Sequence, residues 1–221
     1  MPKLTPRFAD QFDGIYILCE PGTFTGKGDS ENKKEIAEPF FLGEKPVTQV
    51  FWQSIMQSNP SKFQQGFESA LRPVESISWH DAQMFCEQLN LRGDTHHFGL
   101  DGHWRLPTLD EWVYAALSGN ETTWHFGDIE KDLDNYGWHA GNSGAQTKQV
   151  GMKKPNDWGF FDMHGLVGEW CENQVKESEK CPVKGGSWFT ESESTKPFAT
   201  RWLHSDKKSD GVGLRLVWSP V

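Results

Sequence analysis

The chain has 221 residues with a formal charge of -9, and 36% of its residues are hydrophobic. That excess of acids argues against a surface for nucleic acid or anionic lipid, which needs clustered Lys and Arg. No stretch of eighteen apolar residues is present, so no membrane insertion is expected. The opening MPKLTPRFADQFDG lacks the apolar run of a signal peptide, and the sequence leaves the cellular address open. Eleven Trp and fifteen Phe predict a core of large rings held by irregular backbone. The four cysteines, at 19, 86, 171 and 181, form no CxxC pair and so no zinc signature. Free thiols are expected, with Cys171–Cys181 as the pairing open to an oxidising compartment.

In chain order, residues 14–26 predict a strand and turn, residues 27–38 a charged loop, and residues 39–42 a second strand. Residues 47–56 predict a short helix capped by Thr48, with Phe51 and Ile55 one turn apart on its inner face. NPSKF at 59–63 is a turn. Residues 78–91 predict a helix capped by Ser78, with Ala82, Phe85, Cys86 and Leu89 at helical spacing. A further helix starts at Thr108, with Glu111 completing a capping box, and Gly119 ends it. Beyond Gly119 no long helix is expected. The tail GVGLRLVWSP predicts one strand with alternating Val212, Leu214, Leu216 and Trp218. Neither a repeat nor a low-complexity linker interrupts the chain, so a single domain over 1–221 is expected.

The densest segment is DWGFFDMHGLVGEW, residues 157–170. Its glycines allow tight turning, and Asp162 and Glu169 lie seven residues apart. Two readings fit: a curled segment offering oxygens to calcium, or an aromatic turn whose acids cap backbone amides. His96, His97 and His103 lie in a Gly-rich run that reads as an exposed loop more readily than as a metal site. Arg105 and Arg215, in apolar contexts, are expected to snorkel or to pair with buried acids.

The ordered motifs NPSKF (59–63), PVESISWHDA (73–82), WRLPTLDEWVYAA (104–116), KPNDWGFFDMHGLVGEW (154–170), KGGSW (184–188) and GVGLRL (211–216) resemble the formylglycine-generating enzyme, or sulfatase-modifying-factor, family over about residues 15–218. The resemblance implies an α+β, C-type-lectin-like fold with little regular secondary structure. It also implies a structural calcium ion held by Asp162, the carbonyls of Gly165 and Val167, and Glu169. Enzymatic members bind copper through two cysteines after the GGS motif. Here those positions fall on Thr190 and Thr195, and Gly168 stands where a Trp is usual, so no copper is expected.

The segment 188–210 follows GGS and mixes rigid aromatics with small polar residues, the composition of a recognition surface. Its candidate binding residues are Trp188, Phe189, Thr190, Glu191, Glu193, Trp202, His204 and Asp206. The expected function is non-catalytic binding of a protein or small-molecule ligand. In length, motifs and missing cysteines the chain is also similar to the variable proteins of diversity-generating retroelements. The alternative is an oxidase-type enzyme that uses a different metal in the same cleft.

Overall fold

The computed structural model describes residues 6–10, 12, 14–26, 29–93, 95–173 and 179–221. In chain order its strands and helices are β1 (Arg7–Ala9), β2 (Ile15–Cys19), β3 (Gly22–Gly26), β4 (Asp29–Ile36), β5 (Phe40–Gly43), α1 (Gln49–Met56), α2 (Trp79–Leu91), β6 (His96–His97), β7 (Leu100–Arg105), α3 (Leu109–Leu117), α4 (Leu133–Tyr136), β8 (Gly168–Trp170), β9 (Lys180–Lys184), β10 (Arg201–His204), β11 (Val212–Gly213) and β12 (Val217–Pro220).

Three sheets result. A six-stranded sheet runs β1-β2-β5-β12-β7-β6, a four-stranded sheet runs β10-β9-β8-β11, and β3 pairs with β4. The C-terminal strand is central to the large sheet, with Trp218 opposite Phe41 on one side and Trp104 on the other. Side chains alternate across a pleated strand, and this sheet uses both faces. Tyr16, Phe41, Leu216 and Trp218 join a core built with α1 and α2. Ile17, Leu42 and Val217 join a second core built with α3.

The helices start where their caps dictate. Thr48 accepts from the Phe51 amide, and Ser78 and Thr108 form reciprocal capping boxes with Asp81 and Glu111. After α3 the chain turns left-handed at Ser118 (φ 47°) and Gly119 (φ 86°), which ends the helix as expected. The long segment after α3 is held by side chains in place of secondary structure. Asn156 donates to the carbonyl of Ala115 at 2.7 Å and accepts from the amides of Trp158 and Phe160, pinning the aromatic turn to the end of α3.

Three sequence expectations need correction. Residues 22–26 and 29–36 are two strands, because they pair with each other as a hairpin that sets Phe24 and Ile36 into the second core. The His-rich run is also a hairpin, β6–β7, turning through Phe98 (φ 56°) and Gly99 (φ 76°), the paired positive φ angles of a tight hairpin turn. The tail divides into β11 and β12 in different sheets, because Arg215 between them turns inward to a buried acid. All four cysteines are buried and free. Among the described residues, no helix is long and apolar enough to cross a membrane.

Phe85 is fully buried and stacks on Trp52 with centroids 4.9 Å apart. Phe85→Ala removes that stack and opens a cavity between α1 and α2. The expected loss is about 3–5 kcal/mol in urea denaturation.

Candidate functional site

The segment from Phe160 to Ser187 is organised around one buried ion pair. Glu169, in β8, has both oxygens engaged. Arg215 donates to it from Nη2 at 2.8 Å and from Nε at 2.9 and 3.1 Å, and the Trp112 indole donates at 2.6 Å. Arg215 also donates to the carbonyls of Gly43 and Phe161, at 2.9 and 2.8 Å. Both side chains are essentially solvent-free, at 0% and 1% exposure. The expected pairing of Arg215 with a buried acid is thus observed, as is that of Arg105, which forks onto Glu111 at 2.6 and 2.7 Å.

Asp162 lies close by in left-handed backbone (φ 59°), and so does Leu166 (φ 64°). One Asp162 oxygen accepts from the Gly151 amide at 2.6 Å. The other is buried and meets no partner among the described residues. Burial pushes the carboxyl up to about 6, against the pull of the Gly151 amide and Arg215. The amide-capping reading of this acid is therefore present, and an unused oxygen remains. Asp162 and Glu169 fit calcium chemistry to a defined extent. The orphan Asp162 oxygen is a hard donor in search of a partner. Glu169 has already committed most of its lone pairs to Arg215 and Trp112. Among the described residues no group of three or more His, Cys, Asp or Glu is placed to hold a metal.

The two threonines at the cysteine positions are structural. Thr190 accepts from the Ser187 amide at 2.8 Å and donates to the Ser187 carbonyl at 3.1 Å, closing the turn after GGS. Thr195 is fully buried; it donates to the Ser192 carbonyl at 2.7 Å and accepts from the Trp124 indole at 3.0 Å. Its own carbonyl lies 2.9 Å from His164 Nδ1. A carbonyl only accepts, so Nδ1 carries the proton and Nε2 of His164 accepts from His125 Nδ1 at 2.8 Å. His125 Nε2 is left buried without a partner among the described residues. Burial holds His125 down to about 3, with His164 adding to the effect, and holds His164 down to about 4. Residue spacing gave no sign of this pair, 39 positions apart.

The remaining candidate residues spread over the surface formed by 188–210. Trp188 is half-buried; its indole donates to the Asp210 carbonyl at 2.8 Å, and its ring meets Phe63 edge-on. Phe189 (37% exposed) packs its ring over Gly211, while Trp202 (45%) stands on β10. Phe198, which the sequence did not single out, is exposed at 46%. Glu191 and Glu193 are exposed around the short turn at 192–195, with Glu193 bonded to Lys196. His204 lies 3.5 Å from Glu179 and 3.7 Å from Asp206, and Asp206 reaches His80. The His96, His97 and His103 group does not converge: His96 faces Asp101 and His97 stacks on Phe8.

Two cavities also escaped the sequence reading. One, of about 550 Å³, lies between β2, β5 and α1 and is lined by Tyr16, Glu44, Lys45, Val47 and Phe51. The other, of about 100 Å³, opens beside Ser187, Thr200 and Arg201 at the foot of β10.

Glu169→Gln leaves the Arg215 charge buried without a counter-ion, and should cost about 3–5 kcal/mol in equilibrium denaturation. The histidine pair makes stability depend on pH. Both groups titrate lower in the folded chain than the ordinary 6.5, so their contribution is complete above about pH 6.5 and is lost as pH falls towards 4. The expected slope is about 1.4 kcal/mol per pH unit for each proton taken up on unfolding. His125→Gln should flatten the melting temperature between pH 6.5 and 4.5; an unchanged profile refutes the assignment.

Comparison with known proteins agrees with this geometry. The fold superposes on Treponema denticola variable protein 1 with a TM-score of 0.86, at 23% identity over 98% of this chain and 99% of that one. In sequence, the chain is 29% identical to the chaperone protein LppX of Paenibacillus barcinonensis, over 92% of this chain and 89% of that protein. It is 27% identical to the inactive C-alpha-formylglycine-generating enzyme 2 of Bos taurus, over 77% of this chain and 56% of that protein. The fold is the α+β, C-type-lectin-like architecture of these relatives. With residues 6–220 matched, the chain belongs to the sulfatase-modifying factor enzyme 1-like domain family.

Proposed function

We propose that this chain is a non-catalytic binding domain that presents residues 188–210 as a recognition surface on a calcium-stabilised scaffold. The observation that carries the reading is the division of labour within that segment. Thr190, Ser192 and Thr195 bind back to the fold, while Phe189, Phe198 and Trp202 remain exposed. Exposed aromatics on a rigid backbone lose little conformational entropy on binding, which is why they dominate interface energetics.

A catalytic reading lacks its chemistry. Threonine hydroxyls are neutral oxygen ligands, whereas Cu(I) is selected by soft thiolates. The fold neighbour described above is named a variable protein, and one sequence relative is named inactive. Both favour display over turnover, and the first favours a product of retroelement diversification. The partner is a protein or small-molecule ligand.

Calcium would be held by Asp162 through its orphan oxygen and by the carbonyls of Gly165 and Val167, with Glu169 joining them by giving up a bond from Arg215 or Trp112. When bound it supplies positive charge that makes ionised Asp162 tolerable in a buried place. It would brace the aromatic turn against β8.

The recognition surface is tested by selecting binders from a displayed peptide library against the immobilised protein. Trp202→Ala and Phe189→Ala should each weaken a selected binder about tenfold or more, with melting temperature within a degree or two of the parent. If every loss of binding tracks a matching loss of stability, the surface lies elsewhere. For calcium, EDTA should lower the melting temperature and added CaCl2 restore it, and Asp162→Ala should abolish that response. Indifference of the parent protein to EDTA and CaCl2 sinks the calcium site. Incubation with a sulfatase-type peptide should yield no formylglycine by mass spectrometry.

A further inference from the structure

The small cavity at the foot of β10 is placed where buried positive charge has no counter-ion. Lys184, at 2% exposure, precedes the GGS turn. Its ammonium donates to the Ala199 carbonyl at 2.8 Å and to Thr200 Oγ1 at 3.0 Å, with the Trp112 ring 5.8 Å away. Among the described residues no carboxylate lies within ion-pairing distance of it. Burial lowers its affinity for the proton to about 8, so it is largely charged at neutral pH. Isolated buried cations are costly, and most are paired.

Thr200 carries this charge to the cavity. Having accepted from the ammonium, its hydroxyl has its own proton to donate, and a hydroxyl polarised in this way is a stronger donor. Thr200 lines the cavity, and so do Ser187 and Arg201. Ser187 lines the cavity, is 2% exposed, and its hydroxyl has no partner among the described residues. The Arg201 side chain is exposed and, among the described residues, makes neither an ion pair nor a hydrogen bond. The walls are apolar, from Val183, Ala199 and Val212. Gly168 lets Val183 pack directly against the backbone at the cavity floor, since a Cβ there would meet Val183 Cγ1 at 2.6 Å. The volume of about 100 Å³ equals roughly three waters at about 30 Å³ each.

We propose that this cavity is an anchor site for a carboxylate on a short aliphatic stem, with Ser187, Thr200 and Arg201 binding the carboxylate and Val183, Ala199 and Val212 packing the stem. The inference rests on the recognition reading of 188–210 and names the group the partner inserts there. The same chemistry is offered by an internal Asp or Glu side chain and by a peptide C-terminus. A neutral amide of the same shape leaves the Arg201 charge unanswered and sets two N–H groups against donors.

The test needs no partner. Butyrate and butyramide are titrated into the full chain while the amide NMR shifts of Gly186, Ser187 and Gly211 are followed. Butyrate is expected to shift them saturably with a Kd of about 1–10 mM, the range open to so small a ligand, and butyramide at least tenfold more weakly. Arg201→Gln should weaken butyrate about tenfold with the melting temperature kept; Thr200→Val should weaken it about as much and also lower the melting temperature, because it removes an acceptor from the buried Lys184 ammonium. Two pentapeptides then identify the source: one blocked at both ends with a central Asp, the other with a free C-terminus and no acidic side chain. Tighter binding of either names the natural donor. Equal affinity for butyrate and butyramide, or butyrate binding unmoved by both substitutions, overturns the site. If butyrate fails while Trp202→Ala abolishes binding of a selected peptide, the cavity reading falls and the recognition surface stands.

Discussion

The ion pair between Glu169 and Arg215 is the constraint on which the rest of the architecture depends. It joins β8 to the link between β11 and β12. Through its other hydrogen bonds it also fixes the end of β5, the Phe161 carbonyl and the α3 indole of Trp112. A charge pair with almost no exposure is not a cheap source of stability, because desolvation offsets most of the Coulombic gain. Its contribution is to orientation. Five segments must arrive together for the charges to be satisfied, and a chain with so little regular structure has few other means of fixing them.

That arrangement places a polar interior behind an aromatic exterior. Behind the GGS turn lie the Glu169–Arg215 pair, the Lys184 ammonium, the His125–His164 pair and the hydroxyls of Thr190 and Thr195. In front stand Phe189, Phe198 and Trp202. The interior bonds hold the loop backbone around Phe189 and Phe198, while Trp202 stands on β10 of the four-stranded sheet. The proposed recognition surface rests on this arrangement.

Thr190 and Thr195 stand at the positions where the resemblance implies thiols in enzymatic members. Each hydroxyl both donates to and accepts from the fold, which a thiol does weakly. The same positions thus act as fasteners. Asp162, with one buried oxygen unused, is one of several points where the packing stops short of satisfying its own polar groups, His125 Nε2 and Ser187 Oγ being others.

The sequence by itself determined the local features. The caps at Thr48, Ser78 and Thr108 and the inner faces of α1 to α3 follow from short-range chemistry that needs no tertiary partner to be recognised. The ordered motifs carried the family and hence the fold, since neither periodicity nor composition encodes a loop-rich topology. Tertiary structure decided what depends on contacts between distant residues. The charged run at 29–36 became a strand because β3 was there to pair with it, and the tail split because Arg215 found Glu169, 46 positions away. His125 met His164, and Lys184 came to lie behind Thr200, through loops whose paths are set by buried hydrogen bonds. Such pairings have no period and no spacing rule. They exist only once the chain has closed, and for that reason a linear reading passes over them.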